Sequence, residues 1–366
     1  MRSRLAWVAA IREPKLVQGW SIGEWEHVIR LARRLRLLAR LAESLDAEGL
    51  LADVPEAPRR HLIAEQRLSR YRTAAMAWAL ERIRAALGEA AFPCVLLKGA
   101  AYLGLDLHIA SGRLPSDVDI LVPRAELAQV QERLQADGWN EVALDEHDQR
   151  YYREWSHEVP PMRHPVHPIE LDLHHNILPP VARQRVDANQ LLAHVQPSKW
   201  PGWSVFQPVD LVLHSAAHLF LDSEARDRLR DLVDLDGLLR HFGREAMFWD
   251  ALASRAIELD LAEPLALAAT LCVEWLGTPI PAAEQVRLAA LGPSAARRSW
   301  LVPVVSAVLT PTDPDARPST KQTIAAAVFL ARYHLGRMPM RSLLPHLWHK
   351  LRVERGGPTV SEGGGP

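Results

Sequence analysis

The spacing of apolar residues changes twice along this chain, and these two changes constrain the fold more than any other feature. Before residue 90 and after residue 205, apolar residues recur at helical spacing. The stretch between them carries short apolar runs, at 94–97 and 118–122, that are too brief for helices and lie next to Pro or Gly. The pattern predicts a small core of mixed strands and helices with a helical region on each side.

The positions of these changes predict the domain boundaries of an α+β protein. The predicted parts are an N-terminal helical region (1–90), a mixed-sheet core (91–204), a C-terminal helical domain (205–354) and a polar, Gly-rich tail too polar to order itself (355–366). Ser21 and Glu24 have the spacing of a capping box and predict a helix start, and a second helix is predicted over 61–87. Further strands are predicted over 142–152 and 169–175.

Composition and charge exclude several classes of protein. Of the 366 residues, 48% are hydrophobic and 24% are charged, which is typical of a globular chain. The 43 basic and 44 acidic residues leave a net charge of −1, which argues against long nucleic acid as a partner. Two cysteines cannot form a disulfide framework, and the apolar stretches are shorter than the roughly 20 residues of a membrane span. We expect a cytoplasmic protein without a membrane partner.

Paired carboxylates form the most informative motif in the chain. Asp117 and Asp119 lie two residues apart at the start of a predicted strand, so they share one side of it. In a later predicted strand Glu170, Asp172 and His174 share one face in the same way. Such acids need compensating positive charge, and two magnesium ions provide it in phosphoryl or nucleotidyl displacement. The alternative is an ordinary exposed face whose acids pair with arginines.

Residues beside this motif have the chemistry of a phosphate site. Lys98 interrupts the apolar end of a predicted strand, where an ammonium group needs a partner. Gly99 allows the backbone to approach an anion closely. Ser116 offers a hydroxyl group and Arg113 a bidentate guanidinium. We therefore predict that these four residues bind the phosphates of a nucleotide.

Three segments carry a resemblance to a known family: LLKGAAYL (96–103), GRLPSDVDILV (112–122) and IELDLHHNIL (169–178). This arrangement resembles the DNA polymerase β-like nucleotidyltransferase superfamily, and within it the group of uncharacterised nucleotidyltransferases. The helix with two histidines over 210–218 and the Arg- and Asp-containing segment over 228–234 are similar to elements of that group. The resemblance covers roughly residues 20 to 245.

The resemblance implies a polymerase β-like core and a two-metal reaction. A nucleoside monophosphate would pass from a magnesium-bound nucleoside triphosphate to a hydroxyl or similar nucleophile of a small molecule or of a peptide or protein side chain, with release of pyrophosphate. ATP is the expected triphosphate, and Mn²⁺ is an alternative to Mg²⁺. By resemblance Gly99 marks the nucleotide-binding turn, and Asp117, Asp119 and Asp172 are the metal ligands and catalytic residues. Ala100 stands where the superfamily has Ser or Gly, so Lys98 or Ser116 would replace that phosphate contact.

Two residues close to Asp172 are candidates for a supporting role. Glu170 or His174 could serve as the base that activates the acceptor, and His174 could instead be a hydrogen-bond partner of Asp172. Two alternative functions also remain open. One is a catalytically silent nucleotide-binding or scaffolding module of the same fold, and the other is a metal-dependent phosphohydrolase.

Other polar residues have a structural interpretation. His214 and His218 lie one turn apart in a predicted helix, where core packing is favoured over metal binding. Asp231 and Asp234 are expected to form structural ion pairs with neighbouring arginines. The arginines within 33–36 are interpreted as a solvated helix face.

Overall fold

One mixed seven-stranded sheet lies between two groups of helices in the computed structural model, which describes residues 5–145, 149–150, 152, 155–167, 169–223 and 225–335. The helices before the first strand are α1 (Ala6–Ala9), α2 (Ile22–Arg34), α3 (Leu38–Ala47) and α4 (Glu56–Leu87). Short 3-10 helices cover Pro14–Gly19, Leu51–Asp53, His108–Ala110 and Arg124–Glu126. The α+β class is confirmed.

The remaining elements follow in chain order. The core contains β1 (Val95–Leu96), α5 (Lys98–Gly104), β2 (Asp117–Leu121), α6 (Leu127–Asp137), β3 (Asn140–Glu141), β4 (Met162–Arg163), β5 (Glu170–His174), α7 (Ala188–Leu192), β6 (Val195–Pro197) and β7 (Ser204–Phe206). The helices after the sheet are α8 (Pro208–Phe220), α9 (Leu229–Phe242), α10 (Phe248–Glu258), α11 (Ala262–Leu276), α12 (Ala282–Leu291), α13 (Ala295–Leu309) and α14 (Thr320–Leu335). None of these described helices is both long and apolar enough to cross a bilayer.

Local sequence accounts for several element boundaries. The Ser21 hydroxyl accepts a hydrogen bond from the Glu24 backbone N–H, and the Ser21 N–H donates to the Glu24 carboxylate, so the predicted capping box is confirmed. The strand expected over 169–175 is β5, whereas the prediction of a strand over 142–152 is wrong. The chain leaves the sheet after Glu141, and the described residues 149, 150 and 152 are helical. Apolar alternation there stops at Leu144 and an acidic run follows, which is too short a pattern to hold a strand.

The division of the chain into four parts and the boundaries of these parts stay predictions. The tail over 355–366 and the end of the predicted C-terminal domain lie outside the described residues.

Strand order places β2 at the centre of the sheet. The order is β3-β4-β5-β2-β1-β7-β6, with β2 parallel to β5 and antiparallel to β1. Val118, Ile120 and Leu121 are fully or almost fully buried, as expected for a strand covered on both faces. The carboxylates of β2 and β5 therefore lie on strands of a well-packed sheet rather than on a loop.

A buried ion-pair group joins the N-terminal helices, the core and the C-terminal helices. Asp234 of α9 accepts a hydrogen bond from the Arg40 guanidinium of α3 at 2.8 Å and another from Arg113. Gly112 has φ +68 and lies so close to α3 that a Cβ atom would come within 2.4 Å of the Arg40 Cα, so a side chain is excluded there. The expected structural role of Asp234 is confirmed. Its partners, however, are distant in sequence.

Candidate active site

The parallel pairing of β2 with β5 brings the predicted carboxylates together. Asp119 lies opposite Asp172 in the register, and Asp117 lies opposite Glu170. Neighbouring strands lie about 4.8 Å apart and alternate residues share a face, so these four acids share one face of the sheet. His174 lies two residues beyond Asp172 on the same face. The structure thus brings the three predicted metal ligands together, and their catalytic roles stay predictions.

Lys98 and His174 contact the central carboxylate. The Lys98 Nζ donates to Asp119 Oδ1 at 2.6 Å, and His174 Nε2 lies 3.1 Å from the same oxygen. Asp119 is only 3% exposed, and although burial raises the pKa of this carboxyl, Lys98 and His174 outweigh burial and hold the pKa well below its ordinary value. Burial lowers the pKa of Lys98, but Asp119 and its acidic neighbours raise it overall. Asp119 is therefore ionised and Lys98 protonated at neutral pH.

The pKa values of the neighbouring carboxyl groups shift in the opposite direction. Burial, followed by repulsion from Asp119, raises the pKa of Asp172 to about 7. The same two causes raise the pKa of Asp117 above its ordinary value. The positive charge near these two side chains does not offset burial and the repulsion from Asp119. A bound divalent cation would supply that charge, and a set of carboxylate oxygens is the donor chemistry that magnesium prefers.

A cleft of about 360 Å³ opens beside Asp117 and Asp119. Its walls come from the end of α2, the α5 turn, the loop before β2 and the start of α9. The basic residues that line it are Arg34, Arg36, Lys98, Arg113, Arg228 and Arg230. Burial, followed by repulsion from Arg230, lowers the pKa of Arg36 below its ordinary value. A polyanion such as a triphosphate would relieve that repulsion.

Several of these arginines had no functional interpretation in the sequence. Arg36 follows the end of α2, and its guanidinium donates to the Ser116 hydroxyl at 3.2 Å. Arg33, Arg34 and Arg36 are exposed, as the interpretation of a solvated face predicts, and Arg34 and Arg36 also line the cleft. Arg228 and Arg230 belong to the segment over 228–234, and only its family resemblance pointed towards the site. Their spacing along the chain carried no further signal, because they reach the cleft through the packing of α9.

Backbone strain is concentrated at this cleft. Among the described residues, five that are not glycine have positive φ, and three of them line the cleft: Arg36 (φ 55), Lys98 (φ 46) and Asp227 (φ 60). A left-handed conformation costs an L-residue about 1–2 kcal/mol, and such residues cluster at functional sites. The fold holds two cleft cations, Arg36 and Lys98, in this conformation, which supports a functional role for the cleft.

The predicted phosphate ligands lie in the cleft, with one difference. Lys98, Gly99 and Ser116 line it together with Asp117. Arg113 also lines it, but its guanidinium is paired with Asp234 and lies 5.1 Å from the centre of the Tyr102 ring. A Cβ atom on Gly99 would meet the Arg113 side chain at 3.3 Å, so Arg113 packs behind the Gly99 turn. Its observed contacts support that turn, and its direct phosphate contact stays a prediction.

The structure separates the candidate bases. Glu170 is paired with Arg163 at 3.0 Å, so its carboxylate is already engaged. The pKa of His174 is lowered by burial but raised overall by its hydrogen bond to Asp119 and by Glu158. Glu158 has no signal in the sequence, and its Oε2 lies 3.2 Å from His174 Nδ1. Asp172, with a pKa of about 7, is the group of this set best suited to accept a proton near neutral pH.

The helix histidines behave differently from each other. Burial lowers the pKa of His214 to about 3, as expected for a neutral core residue. His218 lines the cleft, and its Nε2 lies 2.9 Å from the Arg228 guanidinium. Since the guanidinium can only donate, His218 is the acceptor and its proton resides on Nδ1.

A larger cavity, of about 980 Å³, lies among the C-terminal helices. Among its charged residues, Glu263 pairs with Arg297 at 2.8 Å and with Arg332 at 2.9 Å. The group of strand carboxylates is not part of that cavity. The smaller cleft is therefore the candidate active site, despite its size.

Comparison with known proteins gives the family of the chain. The family model described as uncharacterised nucleotidyltransferase matches residues 22–277, more than two thirds of the sequence, from the start of α2 to the end of α11. The matched region contains every residue of the cleft. No curated protein and no solved structure matches the chain. The chain belongs to the uncharacterised nucleotidyltransferase family.

Proposed function

We propose that this protein transfers a nucleoside monophosphate from a magnesium-bound nucleoside triphosphate to a hydroxyl or similar nucleophile and releases pyrophosphate. One observation carries the proposal: the β2–β5 register sets Asp117, Asp119 and Asp172 on one face, beside a cleft lined by five arginines and Lys98. Family membership supports nucleotidyl transfer as the general activity. ATP is the proposed donor, and the acceptor is a small molecule or a peptide or protein side chain.

The carboxylates are the proposed ligands of two magnesium ions, with manganese as a substitute. Carboxylate oxygens are the ligands that magnesium prefers, and a bound cation would offset the causes that raise the pKa of Asp117 and Asp172. When bound, the ions neutralise phosphate charge and lower the pKa of the acceptor. Ionised Asp119 is the central ligand in this proposal, and His174 orients its carboxylate through the 3.1 Å contact.

The rest of the chemistry belongs to side chains of the cleft. Lys98 and Arg36 neutralise the charge that grows on the departing phosphates, and Arg228 and Arg230 form the opposite wall. Asp172 is also the proposed acceptor of the proton that the nucleophile loses. The Gly99 turn, supported from behind by Arg113, brings the backbone close to the nucleotide.

The test measures which phosphate leaves. The full-length protein is incubated with Mg²⁺ and each of the four triphosphates labelled at the α-phosphate, with candidate acceptors, and pyrophosphate and orthophosphate are assayed separately. We expect pyrophosphate, with the label on the acceptor. Asp117→Asn should abolish transfer without unfolding the protein, whereas Asp53→Asn, the same change at an exposed residue outside the cleft, should not.

Three outcomes would contradict the proposal. Full transfer by Asp117→Asn would show that the carboxylates are not the metal site. Orthophosphate in place of pyrophosphate would identify a phosphohydrolase. Thermal stabilisation by Mg²⁺ and triphosphate, with no product from any acceptor, would identify a binding or scaffolding module.

A further inference from the structure

A second cluster of metal-ligating side chains lies on the far side of His174. It consists of His157, Glu158 and His174, and one ligand atom of each lies within 4.8 Å of the others. Backbone hydrogen bonds fix the segment against β5: Val159 N–H donates to Leu173 at 3.0 Å, and His175 N–H donates to His157 at 2.8 Å. We call these three residues the His/Glu cluster.

The two nitrogens of His174 face different groups. Nε2 lies 3.1 Å from Asp119 Oδ1, and Nδ1 lies 3.2 Å from Glu158 Oε2. His174 is 3% exposed, and its buried Nδ1 makes no hydrogen bond within the described part of the chain. With the proton on Nε2, donated to Asp119, the Nδ1 lone pair points towards Glu158. A cation between them would satisfy both atoms.

We propose that the His/Glu cluster binds one divalent transition metal ion of the zinc type, at a position distinct from the carboxylates of the cleft. Two ligand atoms of a tetrahedral zinc ion lie about 3.4 Å apart, close to the separation of His174 Nδ1 and Glu158 Oε2. Two imidazoles and one carboxylate favour zinc or a similar ion over magnesium, which prefers oxygen ligands alone. Three protein ligands leave a fourth position open for water.

Asp119 gives this site an outer partner. A metal-ligating histidine usually donates its other ring N–H to a carboxylate, which fixes the ring and strengthens it as a ligand. Asp119 occupies that position here. Lys98 contacts the same oxygen of Asp119, and Asp172 lies opposite Asp119 in the register. An ion at the cluster would therefore add positive charge on the His174 side of Asp119. Zinc at the cluster is therefore expected to position Asp119, a proposed magnesium ligand, through His174 and without entering the cleft.

The test measures metal binding and needs no turnover. The full chain is stripped of metal with a chelator and titrated with Zn²⁺ by calorimetry in excess Mg²⁺, which occupies all-oxygen sites. We expect one Zn²⁺ per chain. His157→Ala and, as an isosteric variant, Glu158→Gln should weaken binding by more than about 100-fold, since loss of even an outer partner costs 10- to 100-fold. His61→Ala, which removes an exposed imidazole elsewhere, should bind as wild type.

Cobalt provides a second readout. Co²⁺ at the cluster should give visible bands without a thiolate charge-transfer band, because Cys94 and Cys272 are buried away from the cluster. The proposal is overturned if the wild type binds no Zn²⁺ in excess Mg²⁺, if His157→Ala and Glu158→Gln both bind as tightly as wild type, or if the cobalt complex shows thiolate ligation. A protonated His174–Glu158 ion pair would explain the first result. Transfer assays in Mg²⁺ alone test the proposed function separately.

Discussion

Replacing Asp234 by Ala tests whether one buried carboxylate holds the helical regions against the core. Its side chain is 3% exposed and forms ion pairs with two guanidinium groups. The side chains of these partners are also buried, at 8% exposure for Arg40 and 9% for Arg113. Removing one partner of a buried ion pair typically costs about 3–5 kcal/mol, because the other charge is left buried and uncompensated. Since two arginines lose their partner here, we expect about 5 kcal/mol, a large share of the 5–15 kcal/mol that stabilises a typical protein.

Urea denaturation of the full chain, followed by far-ultraviolet circular dichroism, measures this loss. Asp315→Ala is the matched control, since it removes the partner of Arg30 in an exposed ion pair and should leave the midpoint close to wild type. The reasoning is refuted if Asp234→Ala unfolds at the same urea concentration as Asp315→Ala. That result would mean that Arg40 and Arg113 find water or other partners at no cost, and that the three regions are held together by apolar packing alone.

Three further predictions concern the cleft. Lys98→Gly should be more stable than Lys98→Ala by about 1 kcal/mol in thermal or urea unfolding, because a φ of 46 strains alanine and not glycine. Both variants should lose nucleotidyl transfer equally. Equal stability of the two variants would contradict the inference that the backbone of Lys98 is strained. Arg36→Gln should raise the KM for the triphosphate roughly 10- to 100-fold in steady-state assays, which is the value of a charged hydrogen bond. Arg59→Gln, the same change at a partly exposed residue outside the cleft, should behave as wild type. An unchanged KM in Arg36→Gln would remove Arg36 from the phosphate site. The affinity for Mn²⁺, measured by electron paramagnetic resonance, should fall as the pH drops below about 7, because a proton then competes with the ion for Asp172. The Asp172→Asn variant should lose this pH dependence. A wild-type affinity that does not change with pH would refute the prediction.

Local patterns in the sequence were sufficient to predict which carboxylates share a face within a single strand. Alternation alone placed Asp117 with Asp119, and Glu170 with Asp172, because the side-chain period of a strand is two residues. It could not show that the two strands are neighbours, and that step depended on the family resemblance. The pairing of β2 with β5 joins residues about fifty positions apart, across a connection with no clear strand signal of its own. The wrong strand over 142–152 falls in that connection.

The basic wall of the cleft was beyond sequence reasoning for a physical reason. An arginine at the end of an amphipathic helix has the same pattern whether it faces bulk water or a cleft, and only tertiary packing distinguishes the two. Arg36 reaches the site because the chain turns sharply at φ 55 between α2 and α3, and Arg230 because α9 packs beside the core. Glu158 likewise reaches His174 only through an isolated bridge to β5.

The β2–β5 register is the feature on which the chemistry depends most. A slip of one residue in either strand would turn its carboxylates to the opposite face, because alternate residues point to opposite sides. The apolar residues between them, Val118 and Leu171, are fully buried and would then have to exchange places with charged groups. The hydrophobic core therefore enforces the alignment of Asp119 with Asp172, and selection for a stable sheet and for a metal-binding face act on the same residues. A core substitution such as Leu171→Asp should consequently remove Mn²⁺ binding even though Leu171 offers no ligand.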